Sequence, residues 1–179
     1  MDHIQSLGAL SWKSLAFVLV MALVPVSIVA GTLKLVGSPK AAAIGLIVAA
    51  LVVPVFALLL AQLFFVKAKW SGKALTIGGG LYSLTLPANQ LRLADAHIVQ
   101  PRDPALTIQS RTNGIGMPGL SLGWFARRSE RPVFLAVTDW QRVIVIPTEL
   151  GYDVLFSPND PEAFLAAMHE RAVEGNALR

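Results

Sequence analysis

The chain has 179 residues, of which 54% are hydrophobic and 15% charged, and its mean hydropathy is +0.59. It has no cysteine, so disulfides, thiol catalysis and thiolate metal sites are excluded together. The formal charge is +4, and no basic stripe is interleaved with aromatics, which points away from a nucleic-acid surface.

The apolar excess is concentrated between Leu15 and Val66. A first charge-free run, Leu15 to Leu33, lies between Lys13 and Lys34; a second, Ala41 to Val66, lies between Lys40 and Lys67. As helices the two runs reach about 28 and 39 Å, against a bilayer core of about 30 Å. The expectation is a transmembrane hairpin occupying residues 1–67, with helices at about 14–34 and 41–66. A cleaved signal peptide fits less well. Asp2 is acidic, Lys13 is the sole cation of the lead, and Ile28 is bulky for the position before a cleavage site. The short Val36–Lys40 connection makes the hairpin antiparallel. Lys13, Lys67, Lys69 and Lys73 on the side of the termini outnumber Lys34 and Lys40 on the loop side. The expected location is therefore the bacterial cytoplasmic membrane, crossed twice, with both termini inside. Pro25 and Pro54 interrupt the helical hydrogen bonding, as membrane helices tolerate. Ala41, Gly45 and Ala49 offer a close-packing face. No ionisable residue lies at depth, so a pump, proton path or channel is not expected.

The composition changes after residue 67. Residues 67–179 hold 12 Lys+Arg against 10 Asp+Glu, and short β-favouring runs alternate with turn residues. Ala74–Ile77, Leu81–Leu86, Leu106–Ser110, Pro132–Val137, Arg142–Ile146 and Tyr152–Phe156 read as strands of an antiparallel sandwich or barrel over residues 68–179. At the end, Asp160 caps a helix that opens on Pro161 and Glu162. Phe164, Leu165, Met168 and Ala172 give it one apolar face, and Gly175 is its expected stop.

Two motifs overlap in a glycine-rich block. Gly114-Ile115-Gly116-Met117-Pro118-Gly119 matches the dinucleotide fingerprint, with Asp139 at the acidic position. Pro118 and Gly123 oppose the helix whose N-terminus would hold the pyrophosphate. Gly119-Leu120-Ser121-Leu122-Gly123 matches a nucleophile elbow, which needs a strand before it and a helix after it. His97 and His169 lack metal-ligand spacing. Asp95, Asp139, Asp153 and His169 form no persuasive catalytic set. No enzymatic activity, cofactor or metal is expected.

The block Arg111 to Gly119, followed by Gly123-Trp124-Phe125, Thr138-Asp139, Ile146-Pro147-Thr148, Leu155-Phe156-Ser157-Pro158 and Asp160-Pro161-Glu162-Ala163-Phe164, resembles the bacterial pleckstrin-homology-like domain family. The resemblance covers roughly residues 68–172. It implies a mainly β fold, a bent antiparallel β-barrel or sandwich of about seven strands closed by a C-terminal α-helix, carried here on the membrane α-hairpin. Lipid-binding pleckstrin domains use several basic residues around the first hairpin, where this chain has Lys73 alone. Arg127, Arg128 and Arg131, softened by Glu130, read as a solvated hairpin tip or as a contact for acidic lipid heads.

The glycine block reads either as a shaped connection between strands or as a binding rim. In the second reading Arg111, Asn113, Gly114, Gly116, Met117, Pro118, Gly119, Leu120, Trp124 and Phe125 form the interaction loop. Leu122 adds apolar contact there, and Trp124 and Phe125 anchor its far end. The expected function is non-enzymatic: a PH-like domain held at the lipid bilayer for contact with a membrane-associated protein or for self-assembly. The alternatives are an accessory subunit of a membrane transport or envelope complex and, behind it, a small hydrolase.

Overall fold

Apolar alternation and two long helical runs resolve into ten strands and three α-helices in the computed structural model, which describes residues 3–7, 12–36, 39–64, 66–80, 82–101, 103, 106–127 and 131–177. In chain order the elements are β1 (His3–Ser6), α1 (Trp12–Val36), α2 (Pro39–Phe64), β2 (Lys67–Trp70), β3 (Ala74–Gly79), β4 (Tyr82–Pro87) and β5 (His97–Val99). After them come β6 (Ile108–Met117), β7 (Leu120–Arg127), β8 (Val133–Val137), β9 (Val143–Pro147), β10 (Asp153–Phe156) and α3 (Pro161–Ala177).

The helices α1 and α2 pack side by side, and Pro54 lies inside α2. Many of their described exposed side chains are apolar: Leu19, Leu23, Ile44, Ile47 and Leu51 are all more than half exposed. The expected two-pass location in the cytoplasmic membrane is corrected. Among the described residues no helix is long and apolar enough to cross a membrane.

The strands form two sheets, one of order β1-β2-β3-β4 and one of order β5-β9-β10-β8-β7-β6. With the C-terminal helix this is a mainly β fold of two sheets, consistent with a PH-like sandwich. It departs from the expectation in two respects. Among the described residues it has nine strands, β2 to β10, where about seven were expected after the helices, and β10 runs parallel to β8 while pairing antiparallel with β9. The first strand was not foreseen at all. β1 precedes the helices, yet pairs with β2 beyond them, His3 opposite Trp70 and Ser6 opposite Lys67.

β8, β9 and β10 (Val-Phe-Leu-Ala-Val, Val-Ile-Val-Ile-Pro and Asp-Val-Leu-Phe) are near-continuous apolar runs because the centre of this sheet is buried on both faces. Alternate residues serve opposite faces. Phe134, Ala136, Ile144, Ile146, Val154 and Phe156 face the first sheet and meet Trp70, Leu75 and Ile77 in the main core. Val133, Leu135, Val137, Val143, Val145 and Leu155 form a second cluster on the other face, with Val99 and Phe125; Leu106, Ile108 and Trp140 pack against it.

α3 closes the main core with Phe164 and Met168, both fully buried. Phe164 meets Phe156 edge-on, with ring centroids 5.4 Å apart. The cap forms as the sequence indicates: Asp160 Oδ1 accepts the Ala163 N–H at 3.0 Å. Gly175 does not stop the helix, which runs on to Ala177; the Ala172 side chain lies outside the described residues. Asp160→Ala is expected to cost about 1 kcal/mol and to raise hydrogen exchange in the first turn of α3.

Candidate functional site

The glycine block is neither a loop nor a dinucleotide turn. Residues 108–117 form β6 and residues 120–127 form β7, joined at Pro118-Gly119 in a tight antiparallel hairpin. Gly119 takes φ +80° at that turn, where glycine is favoured. Both rejected motifs need a helix after their glycines, and a strand occupies that place.

The glycines of the hairpin do different jobs. Gly114 and Gly123 face each other across the ladder. Gly123 sits at φ +115°, and a Cβ there would lie 2.6 Å from both the Asn113 carbonyl oxygen and Gly114 Cα. A Cβ on Gly114 would lie 2.4 Å from the Leu122 carbonyl oxygen. This pair permits a close backbone crossing. Gly116 is exposed, and a Cβ there would meet nothing nearer than Phe125 Cε1 at 3.9 Å. Nothing in the described fold requires Gly116 to be glycine.

The ten expected contact residues are divided between surface and core. Arg111, Asn113, Gly116 and Pro118 are exposed; Gly114, Met117, Gly119 and Trp124 are half-buried. Leu120 is 1% and Phe125 6% exposed, so neither offers a contact, and Leu122 is fully buried as well. Strand alternation explains the division: Leu120 and Leu122 point into the main core, and Phe125 into the second cluster. Trp124 anchors the hairpin edge-on against Phe134 at 5.3 Å and Tyr152 at 4.9 Å. Tyr82, on the other sheet, donates its hydroxyl to Asn113 Oδ1 at 3.1 Å.

β6 is the terminal strand of its sheet. Gln109, Ser110, Arg111, Thr112 and Asn113 are exposed in succession along it. Its pairing with β7 shifts between Ile108 and Ser110 and again between Arg111 and Asn113, then runs regularly from Asn113 to Met117. Bulges and charge are devices that keep an open edge from indiscriminate pairing. Here they leave the segment 113–117 as the regular stretch of the edge.

The basic cluster after the hairpin is not a solvated tip at Arg127. The Arg127 side chain is 7% exposed, and its Nη2 donates to Asp153 Oδ2 at 2.8 Å. Arg131 Nη1 stands 3.8 Å from Asp153 Oδ1. Arg127 Nε and Asp153 Oδ1 have no hydrogen-bond partner among the described residues. Arg128 and Glu130 lie outside the described residues.

Two other residues weighed for chemistry sit against backbone: a His169 ring nitrogen lies 2.9 Å from the Leu93 carbonyl oxygen, and one of His97 lies 2.8 Å from that of Asp95. Among the described residues no acidic or histidine group has metal-binding geometry. Burial raises the Tyr152 phenol above the ordinary tyrosine value. The folded state therefore favours the neutral phenol, and stability falls as pH rises from the ordinary value through the raised one. A 295 nm titration of the folded chain is expected to contain a late-ionising tyrosine component that the Tyr152→Phe variant lacks.

A mainly β fold of two sheets with a C-terminal closing helix is consistent with a PH-like sandwich. Residues 96–172, from the approach to β5 into α3, match the family model of the bacterial PH domain. The match takes in the β6–β7 hairpin and leaves the helix pair and the first sheet outside. No curated protein and no solved structure matches the chain.

Proposed function

We propose that this chain is a non-enzymatic interaction module, a PH-like sandwich that presents the β6–β7 hairpin to a protein partner or to a second copy of itself. The observation that carries this reading is the terminal position of β6, with an exposed polar run and a regular segment at 113–117. A terminal strand offers backbone donors and acceptors to an added strand. The open space at Gly116 lets another backbone come close. Arg111 and Asn113 would set the register and polarity of the contact, while Leu120 and Phe125 hold the hairpin to the cores beneath.

A second reading, an accessory subunit of a larger assembly, is supported by the exposed apolar side chains of α1 and α2, because extended apolar patches mark contact surfaces. That reading expects the isolated chain to be unstable and to co-purify in fixed stoichiometry.

The test is the association state of the full chain in detergent micelles, read by light scattering. Thr112→Pro removes a backbone donor from the terminal strand of the sheet. If β6 pairs with a second copy, the native chain is oligomeric and the Thr112→Pro chain is monomeric. A native monomer that also fails to bind any co-purified protein through this edge contradicts the proposal.

A further inference from the structure

The helix pair is attached to the sandwich at two points. The chain leaves the first sheet through β1 and rejoins it through β2, and these strands are hydrogen-bonded neighbours. The Leu7 N–H donates to the Val66 carbonyl at 3.3 Å, carrying the ladder one step past β1 toward the helices. Leu7 and Val66 are both buried in the main core, at 2% and 3% exposure.

β1 also reaches the second sheet and α3. The Leu7 carbonyl accepts the Thr138 hydroxyl at 3.0 Å, just after β8. Ser157, just after β10, accepts the Thr138 N–H at 2.9 Å. Asn159 donates to Ser6 Oγ at 2.7 Å, and the N–H of Asp160, the α3 cap, donates to Gln5 Oε1 at 3.2 Å. One short strand thus ties the base of the helix pair to both sheets and to the cap of the closing helix.

We propose that β1 is a clasp that sets the orientation of the helix pair on the sandwich and transmits its displacement to the module that carries the β6–β7 hairpin. A single covalent tether leaves a helix pair free to swivel, whereas two adjacent bonded strands do not. The helix pair joins the first sheet through β1 on one side and β2 on the other, and β1 is the strand held on one edge alone. β1 has one strand neighbour, while β2 lies between β1 and β3. Leu7 is the residue that seats this segment in the core, and Ile4 is 56% exposed. Release of this segment withdraws the Leu7 carbonyl from the Thr138 hydroxyl and Gln5 Oε1 from the Asp160 N–H together. The inference concerns transmission and does not depend on what the hairpin binds.

The absence of native cysteine allows spin labels to be placed directly at Ile47→Cys on α2 and Gln141→Cys on the β8–β9 turn, in the full chain in dodecylmaltoside micelles. The distance distribution between them is expected to be narrow. Leu7→Asp opens the clasp and broadens it, with amide protection retained in β8 to β10. Thr138→Val weakens the clasp, and exchange at residues 3–7 is expected to rise about tenfold. A distribution that stays narrow while residues 3–7 exchange freely overturns the proposal. If Leu7→Asp also loses protection in β8 to β10, Thr138→Val decides: native exchange at residues 3–7 in that variant overturns the clasp.

Discussion

Asp153→Ala is expected to destabilise the sandwich by about 3–5 kcal/mol, the cost of leaving a buried charge without its partner. The Arg127 guanidinium is almost fully enclosed and its one close anionic partner among the described residues is Asp153. Removing the carboxylate leaves the nearly enclosed guanidinium without its described anionic partner, and Arg131, 3.8 Å from the vanished oxygen, loses that contact too. The native pair is itself imperfectly satisfied, since Arg127 Nε and Asp153 Oδ1 lack partners among the described residues. The double variant Arg127→Met/Asp153→Leu is therefore expected to recover most of the loss, because apolar replacements of similar size remove both desolvation costs. Urea unfolding followed by tryptophan fluorescence reads both. A loss under about 1 kcal/mol for Asp153→Ala would mean that water reaches the pair freely.

Gly123→Ala is expected to cost about 2–4 kcal/mol, combining a left-handed backbone angle with overpacking. The new methyl group would press on the backbone of β6 rather than on a side chain that can turn away. The ladder must separate at Gly114–Gly123, and the hydrogen bond from Tyr82 to Asn113 is expected to weaken with it. Gly116→Ala, seven residues away on the facing strand, is expected to be neutral or to stabilise by up to about 1 kcal/mol, the usual gain of replacing a strand glycine that has room. Equal losses for the two variants would contradict the division of the block into crossing glycines and an open one. The same unfolding measurement decides it.

The hairpin also shows where the sequence was legible and where it was not. The apolar runs of β8, β9 and β10 announce themselves because buried central strands need no polar residues. The α3 cap is equally plain, because Asp160-Pro161 is a local signal whose bond partner lies three residues away. β7 was hidden by its glycine. In the sequence Gly123 speaks only against a helix, yet its role is to let two backbones approach inside a continuous ladder. Read with period two, Leu120, Leu122 and Trp124 would have separated from Ser121, Gly123 and Phe125, and the burial of Leu120 and Leu122 on one face would have followed. β1 was out of reach for a different reason. His3–Ser6 is short and carries Ile4 outward, and its partner strand lies beyond both helices. Only the folded chain brings them together. The parallel pairing of β10 with β8 is likewise a property of topology rather than of any local pattern.

The residues expected to form the contact surface divide between core and surface. Leu120 and Phe125 supply the seat of the hairpin. The exposed positions are polar or small, namely Arg111, Thr112, Asn113, Gly116 and Pro118. A surface of that kind suits recognition through backbone pairing more than apolar docking. The location at the cytoplasmic membrane failed on a separate point, the lack of a described helix long and apolar enough to cross.

The central claim, that the β6–β7 hairpin is a contact surface, is tested most directly by in-cell photo-crosslinking from position 116, with position 141 on the β8–β9 turn as control. Both positions are exposed, and position 116 has room for the probe. A discrete adduct formed from position 116 and absent from position 141, and identified by mass spectrometry as one protein or a second copy of this chain, is the predicted result. A normally expressed and folded chain that gives no adduct from position 116, or the same adducts from both positions, would contradict the account and leave the hairpin as architecture alone.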